Sequence, residues 1–149
     1  MTNRWLAIAN LENWNIIKKS QIWGATERHR KEIRKTQIRD TVIIYVSSTG
    51  NGKKRTEVVV TGAFEISSGP YFDETQIFSP PPQNSNEVYP FRINLKRIKI
   101  FKSPVEFKPL INQLKFIKNK KMWSGHIRGR SLRLIPEEDY QLIISASTN

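Results

Sequence analysis

The amino-acid sequence predicts a mixed α+β domain, a small β-barrel with peripheral helices, on three observations. Strand-like runs outnumber helical ones, turns and loops join them rather than regular crossover helices, and the helical stretches are short. That pattern does not fit a doubly wound parallel sheet. With 149 residues, no long linker and no internal repeat, residues 1–149 read as one domain. A chain of this size buries roughly 68–70% of its unfolded surface and needs no disulfide or structural metal to stay folded.

Taken in order, residues 5–9 are apolar and stop at Asn10, the pattern of a buried strand. Residues 11–20 place Trp14, Ile17 and Ile16 toward one side at helical spacing, with Asn10 or Asn13 available as a cap. Residues 27–35 form a second, strongly charged helical stretch whose one apolar side chain is Ile33, which puts it on the surface. Residues 41–47 are rich in β-branched side chains, and beyond the turn signal Gly50-Asn51-Gly52 a matching run spans 57–66. Together they predict an antiparallel hairpin. Residues 67–86 read as loop, with Gly69-Pro70 and a triple proline at 80–82 that blocks any ladder. From 89 to 101 alternation returns, with Phe91, Ile93 and Leu95 on one side and Arg92, Asn94 and Lys96 on a wet face. Residues 110–116 suggest a short helix, and Pro136 followed by Glu137, Glu138 and Asp139 opens a last one.

The chain carries 25 Lys and Arg against 13 Asp and Glu, a net charge of +12. All of that excess sits in residues 92–133, which hold thirteen basic residues and one acid, Glu106. Such clustering is the footprint of a surface that neutralises phosphates. A solubilising basic face is the plainer alternative, while a membrane surface lacks the long amphipathic helix it would need. No apolar run approaches the roughly 20 residues of a membrane span, and no signal-peptide pattern opens the sequence, so the expected setting is cytoplasmic.

Catalytic and metal chemistry find little support. The absence of cysteine excludes disulfide scaffolds, cysteine zinc sites, iron–sulfur clusters and thiol catalysis. Glu137, Glu138 and Asp139 fit a helix start better than a metal site, because successive helical residues point in different directions. His29 and His126 have no second ligand at metal spacing. Ser124 lacks a nucleophile elbow, and the glycines at 50 and 52 lack phosphate-loop spacing. No metal and no cofactor is expected.

Aromatic residues are more informative. Trp23 stands beside Gly24 between two helical stretches, Phe78 in the proline-rich loop, Tyr89 before Pro90, and Trp123 within the basic segment. Rings beside positive charge make a platform on which bases stack at about 1–3 kcal/mol each. Trp5 and Trp14 read as core; for Trp23 and Trp123, core and platform readings stay open.

Seven short motifs then occur in order: Asn10 to Asn13-Trp14, Ile22-Trp23-Gly24, Ile43-Ile44-Tyr45-Val46, Asp73 to Phe78, Tyr89-Pro90-Phe91-Arg92, residues 110–117, and Leu134-Ile135-Pro136 through Tyr140. Their order and spacing resemble the EVE domain, a family of the PUA-like superfamily that is also similar to the YTH domain. The resemblance implies a barrel of about five or six strands and binding of nucleic acid through a modified base held in an aromatic pocket. It matches Asn10 and Asn13 to an Asn-rich turn, Trp23 with Gly24 to one pocket wall and Phe78 to a second; no residue matches a third wall. Arg39-Asp40 stands where the family has Gly-Asp, and Trp-Gly-Ala where it has Trp-Gly-Val.

The combined expectation is a non-enzymatic module that binds nucleic acid, RNA or modified DNA. Asn10, Asn13, Trp23, Gly24, Phe78, Tyr89 and Trp123 are its candidate base pocket. Arg92, Lys96, Lys99, Lys118, Lys120, Lys121, Arg128 and Arg130 are its candidate phosphate contacts, which position a strand without reading it. The alternatives are a base-processing enzyme using Glu12, Glu27 or Asp73 as acid or base, and a sequence-blind RNA-associated protein.

Overall fold

The computed structural model describes residues 2–47, 56–127 and 129–147. Its elements run β1 (Arg4–Ala9), α1 (Leu11–Ser20), β2 (Ile22–Ala25), a 3-10 turn (Glu27–His29) leading into α2 (Arg30–Ile33), β3 (Thr41–Val46), β4 (Val59–Ile66), β5 (Tyr71–Phe72), β6 (Phe91–Glu106), 3-10 turns at Lys108–Gln113 and Trp123–His126, β7 (Leu132–Ile135) and α3 (Glu137–Ala146). The strands form one mixed sheet in the order β2-β6-β4-β3-β1-β7, with β5 added beside the start of β6. The sheet curls into a half-barrel, with β2 and β7 at the two ends of the path.

Long β6 makes the curl possible. Its first residues, Phe91–Asn94, pair with β2 and β5, while Leu95 to Glu106 pair with β4 across two register shifts that bend the ladder. β3 and β4 are the antiparallel pair expected from the sequence, although their turn at 50–52 lies outside the described residues. β1 and β3 are parallel, so the chain between them, α1, β2 and α2, serves as a crossover.

Every residue of β3 is buried, because both faces of the sheet are covered. One face collects Trp5, Ala7, Val42, Ile44 and Phe64 with Trp14 and Ile17 of α1, Trp23 of β2 and Ile33 of α2. The other collects Leu6, Ile43, Tyr45 and Phe101 with Phe107, Leu114, Phe116 and the α3 residues Tyr140 and Ile143. Full burial of each such side chain is worth about 1.5–3 kcal/mol.

The structure corrects several expectations. β2, β5 and β7 have at most four residues each, too short to show a period of two. The expected helix at 110–116 is a 3-10 turn that ends at Gln113. Asp139, buried in the first turn of α3, accepts the amides of Lys115 (2.8 Å) and Phe116 (2.9 Å), so those donors leave the helical pattern. Asp139 therefore secures a neighbouring segment, while Glu137 pairs with Arg4 at 2.9 Å and Glu138 with Lys115. The three acids point to three separate partners, as expected of a helix start.

Candidate functional site

The carboxyl end of β1 passes directly into α1 at Asn10. Its extended backbone and side-chain Oδ1, which accepts the Asn13 amide at 2.8 Å, make it the helix cap. Here the structure opens a cavity of about 190 Å³, lined by Ile8, Ala9, Asn10, Asn13, Ile17, Trp23, Gly24, Ser47, Phe78 and Tyr89. Six of the seven sequence-derived pocket residues meet in this one place. The volume lies below the roughly 300 Å³ floor for drug-sized ligands. Asn10, Gly24, Ser47 and Tyr89 are partly exposed and mark the side that opens to solvent.

Trp23 is 2% exposed, and its Nε1–H donates to the Ile8 carbonyl at 3.3 Å. The indole thus links β2 to β1, which are not neighbours in the sheet, and this bond fixes its plane. Phe78 and Tyr89 meet edge to face with ring centroids 5.8 Å apart. Tyr89 supplies a third ring, which the family pattern alone did not place. Its φ of 51° is left-handed, costly for a bulky residue, and burial pushes its phenol pKa up so that it stays a neutral donor.

Two contacts hold the proline-rich loop against this wall. Asn13 accepts the Ser79 amide at 2.7 Å and donates to the Ser79 carbonyl at 3.1 Å, while the Ser79 hydroxyl donates to Glu12 at 2.6 Å. A Cβ on Gly24 would come within 2.6 Å of the Tyr89 carbonyl oxygen and 2.8 Å of a Phe78 ring carbon, so glycine is required for the loop to lie this close.

Arg92 is the largest departure from expectation. It is 1% exposed and donates to the carbonyls of Thr75, Val88 and Tyr89, with Asp73 3.7 Å from its guanidinium. The polar face of β6 is not wet here because residues 73–90 fold over it. Arg92 is therefore the internal tie between the loop's two ends, not a phosphate contact. Hydrogen bonds from the Thr75 amide and hydroxyl, reinforced by Arg92, hold the Asp73 carboxyl below its ordinary pKa.

Other residues also fall elsewhere than expected. Trp123 is not in the cavity; it packs in the other cluster, 5.8 Å from Phe107. Of the candidate phosphate contacts, Lys120 is committed to the carbonyls of Ile111 and Leu114, and Lys99 to Ser147. Lys96, Lys118, Lys121 and Arg130 are exposed, and Arg128 lies outside the described residues. Arg130 precedes Ser131, whose carbonyl accepts the amide of the lining residue Ile8 at 2.9 Å, which brings Arg130 to the cavity's end of β1. Lys96 sits instead beside Arg97, which donates to the carbonyl of Lys18 near the far end of α1. That end is about 15 Å from Asn10 at 1.5 Å per helical residue.

Ile8, Ala9, Ile17 and Ser47 also line the cavity and were not anticipated. Ile17 follows Asn13 by one helical turn, a signal present in the sequence. Ser47 arrives through parallel pairing, its amide donating to Ala9 at 3.0 Å, which no local pattern announces. Among the described residues no group of three metal-binding side chains gathers, and no helix is long and apolar enough to cross a membrane.

The curled half-barrel is a fold shared with known domains. Human THYN1 protein, solved in complex with 5-methylcytosine-containing DNA, is similar with a TM-score of 0.65 and 14% identity over 99% of each chain. The YTH domain-containing protein mmi1, solved with RNA, is similar with a TM-score of 0.60 and 11% identity over 97% of this chain and 80% of that one. At such identities the likeness is one of fold. In sequence, a UPF0310 protein of Pyrococcus abyssi is 43% identical over 141 residues, 95% of this chain and 96% of that protein. The EVE domain profile matches residues 3–146, and the chain belongs to that family.

Proposed function

We propose that the protein binds nucleic acid without catalysis, by taking one base, a modified one, out of its strand and into the cavity beside Trp23. The observation that carries this reading is the convergence of Trp23, Phe78 and Tyr89 on a volume of about 190 Å³ whose rim holds Asn10. Unstacking a base costs a few kcal/mol, least in a single strand, and stacking at about 1–3 kcal/mol offsets it. Asn13 is consumed by Ser79, so the Nδ2 amide of Asn10 and the hydroxyls of Ser47 and Tyr89 are the lining side-chain groups offered to a base edge. Arg130, Lys118 and Lys121 would hold the phosphates. The ligands of THYN1 and mmi1 support a nucleic-acid partner.

The acids that a base-processing enzyme would need are otherwise engaged. Glu12 accepts from Ser79, Glu27 pairs with Arg30 and Asp73 with Arg92, and none lines the cavity. The test is a binding panel of identical DNA and RNA oligonucleotides carrying unmodified, methylated and hydroxymethylated bases, at two salt concentrations. A preference for a modified member that persists at high salt is expected. Equal affinity throughout would leave only backbone binding.

A further inference from the structure

One wall of the cavity continues beyond it. The loop that supplies Phe78 leaves the wall there and returns to it at Tyr89, and its tip, residues 82–86, is exposed along its whole length. Both ends of the loop are fastened beside the cavity: Ser79 to Asn13 and Glu12, and the carbonyls of Val88 and Tyr89 to Arg92. The tip between them is ordered by its own backbone, with the Asn84 amide donating to the Pro81 carbonyl at 3.1 Å and the Glu87 amide to the Asn84 carbonyl at 3.2 Å. The prolines at 80–82 fix their own φ and remove much of the freedom such a loop would otherwise lose on binding.

Residues 75–86 hold no charged side chain, in a chain where 26% of residues are charged and twelve residues would carry about three. The tip is made instead of amides and a hydroxyl, Gln83, Asn84, Ser85 and Asn86. Asn84 uses its Oδ1 within the tip to accept the Asn86 amide at 3.2 Å, while the side chains of Gln83, Ser85 and Asn86 have no partner among the described residues. A side-chain amide presents a donor and an acceptor side by side, the pattern that pairs with the edge of a base at two points. Basic residues on the phosphates position a strand; uncharged amides beside the cavity are suited to reading it. Asn86 is three residues from Tyr89, so its Cα lies within about 11 Å of that cavity wall, a reach of about three stacked bases at 3.4 Å each.

We infer that this tip is a second recognition surface, in which the amides of Gln83 and Asn86 read the edge of a base next to the one held in the cavity. The inference rests on the base-pocket reading above and goes further by giving the protein a sequence context. The cavity selects the modification, and the tip selects the nucleotide beside it.

The test uses the full chain and single-stranded oligonucleotides that carry, at one fixed position, the modified base that the panel above ranks first, with each of the four ordinary bases placed in turn on either side of it. The most favoured neighbour should bind at least about fivefold more tightly than the least favoured, the discrimination of one good amide–base pair. The double variant Gln83→Ala/Asn86→Ala removes side chains that hold nothing in the fold, so its melting temperature should match the wild type. In that variant the preference for a neighbour should fall to near one, while the ratio of modified to unmodified affinity is kept. A flat response to the neighbouring base in the wild type, or a preference that survives in the variant, overturns the inference and leaves the base pocket standing. A loss of affinity in the variant that is equal for all neighbours also overturns it, since that marks contact with the backbone alone. Equal affinity for every oligonucleotide, modified or not, overturns both readings.

Discussion

The two faces of the sheet are built from the same residue types and do different things. On the α3 face, Phe107 packs edge to face on Tyr45 at 5.0 Å and beside Phe116 and Trp123, and apolar contact closes the cluster. On the α1 face, Phe78 and Tyr89 also meet edge to face, at 5.8 Å, but together with Trp23 they line a cavity. Polar ties, the Asn13–Ser79 pair and the Arg92 fan of carbonyl contacts, fasten the loop that forms one of its walls. A protein interior normally packs at crystal density, so a cavity whose wall is fastened by buried polar groups is the informative feature. The contrast separates residues that stabilise the fold from residues that shape a site.

Substitutions on each face should therefore give different signatures. Phe107→Ala, on the filled face, should cost about 3–5 kcal/mol of stability and leave the ratio of modified to unmodified affinity unchanged, as measured by denaturant unfolding and oligonucleotide titration. Arg92→Met, under the loop, leaves three carbonyls without their donor and should cost about 3 kcal/mol. Unlike Phe107→Ala, it should also collapse the affinity ratio.

A pH titration distinguishes the faces too. Burial pushes the Tyr45 phenol up to about 12, above the ordinary value of 10.0. The neutral form is favoured in the fold, so its contribution is intact below pH 10 and lost as pH rises through 12, when the unfolded chain ionises first. The total loss is about 2–3 kcal/mol. Tyr45→Phe should flatten that alkaline decline in thermal melts without touching base selectivity. Asn13→Ala should show the smallest stability change, about 1–2 kcal/mol from the lost loop contacts, yet still reduce the affinity ratio by loosening Phe78.

Much of this fold was legible in the sequence where a pattern had length to develop. The cap at Asn10, the helix carrying Trp14 and Ile17, the β3–β4 pair and the α3 start all follow from local spacing and end signals. What the sequence did not yield has physical causes. Ile22–Ala25 and Leu132–Ile135 are four residues each and become strands through partners far along the chain. Arg92 alternates as a surface residue would, and its burial depends on a loop that folds back over it. Trp23 and Trp123 look alike locally. Only the register of β2 on β6 and the bond to Ile8 set the first beside the cavity, while the second joins Phe107. The concentration of positive charge was visible, but its use was not, since Arg92 and Lys120 spend their donors on backbone carbonyls.

The central claim, that the cavity and not the basic surface chooses the base, is tested most directly by Phe78→Ala. The measurement is the ratio of affinities for one oligonucleotide with and without its preferred modified base, in the wild type and in the variant, across a salt series. A wild-type ratio well above one that falls to near one in the variant, with an unchanged salt slope, is the expected result. A ratio that survives the loss of Phe78 in a folded variant would contradict it.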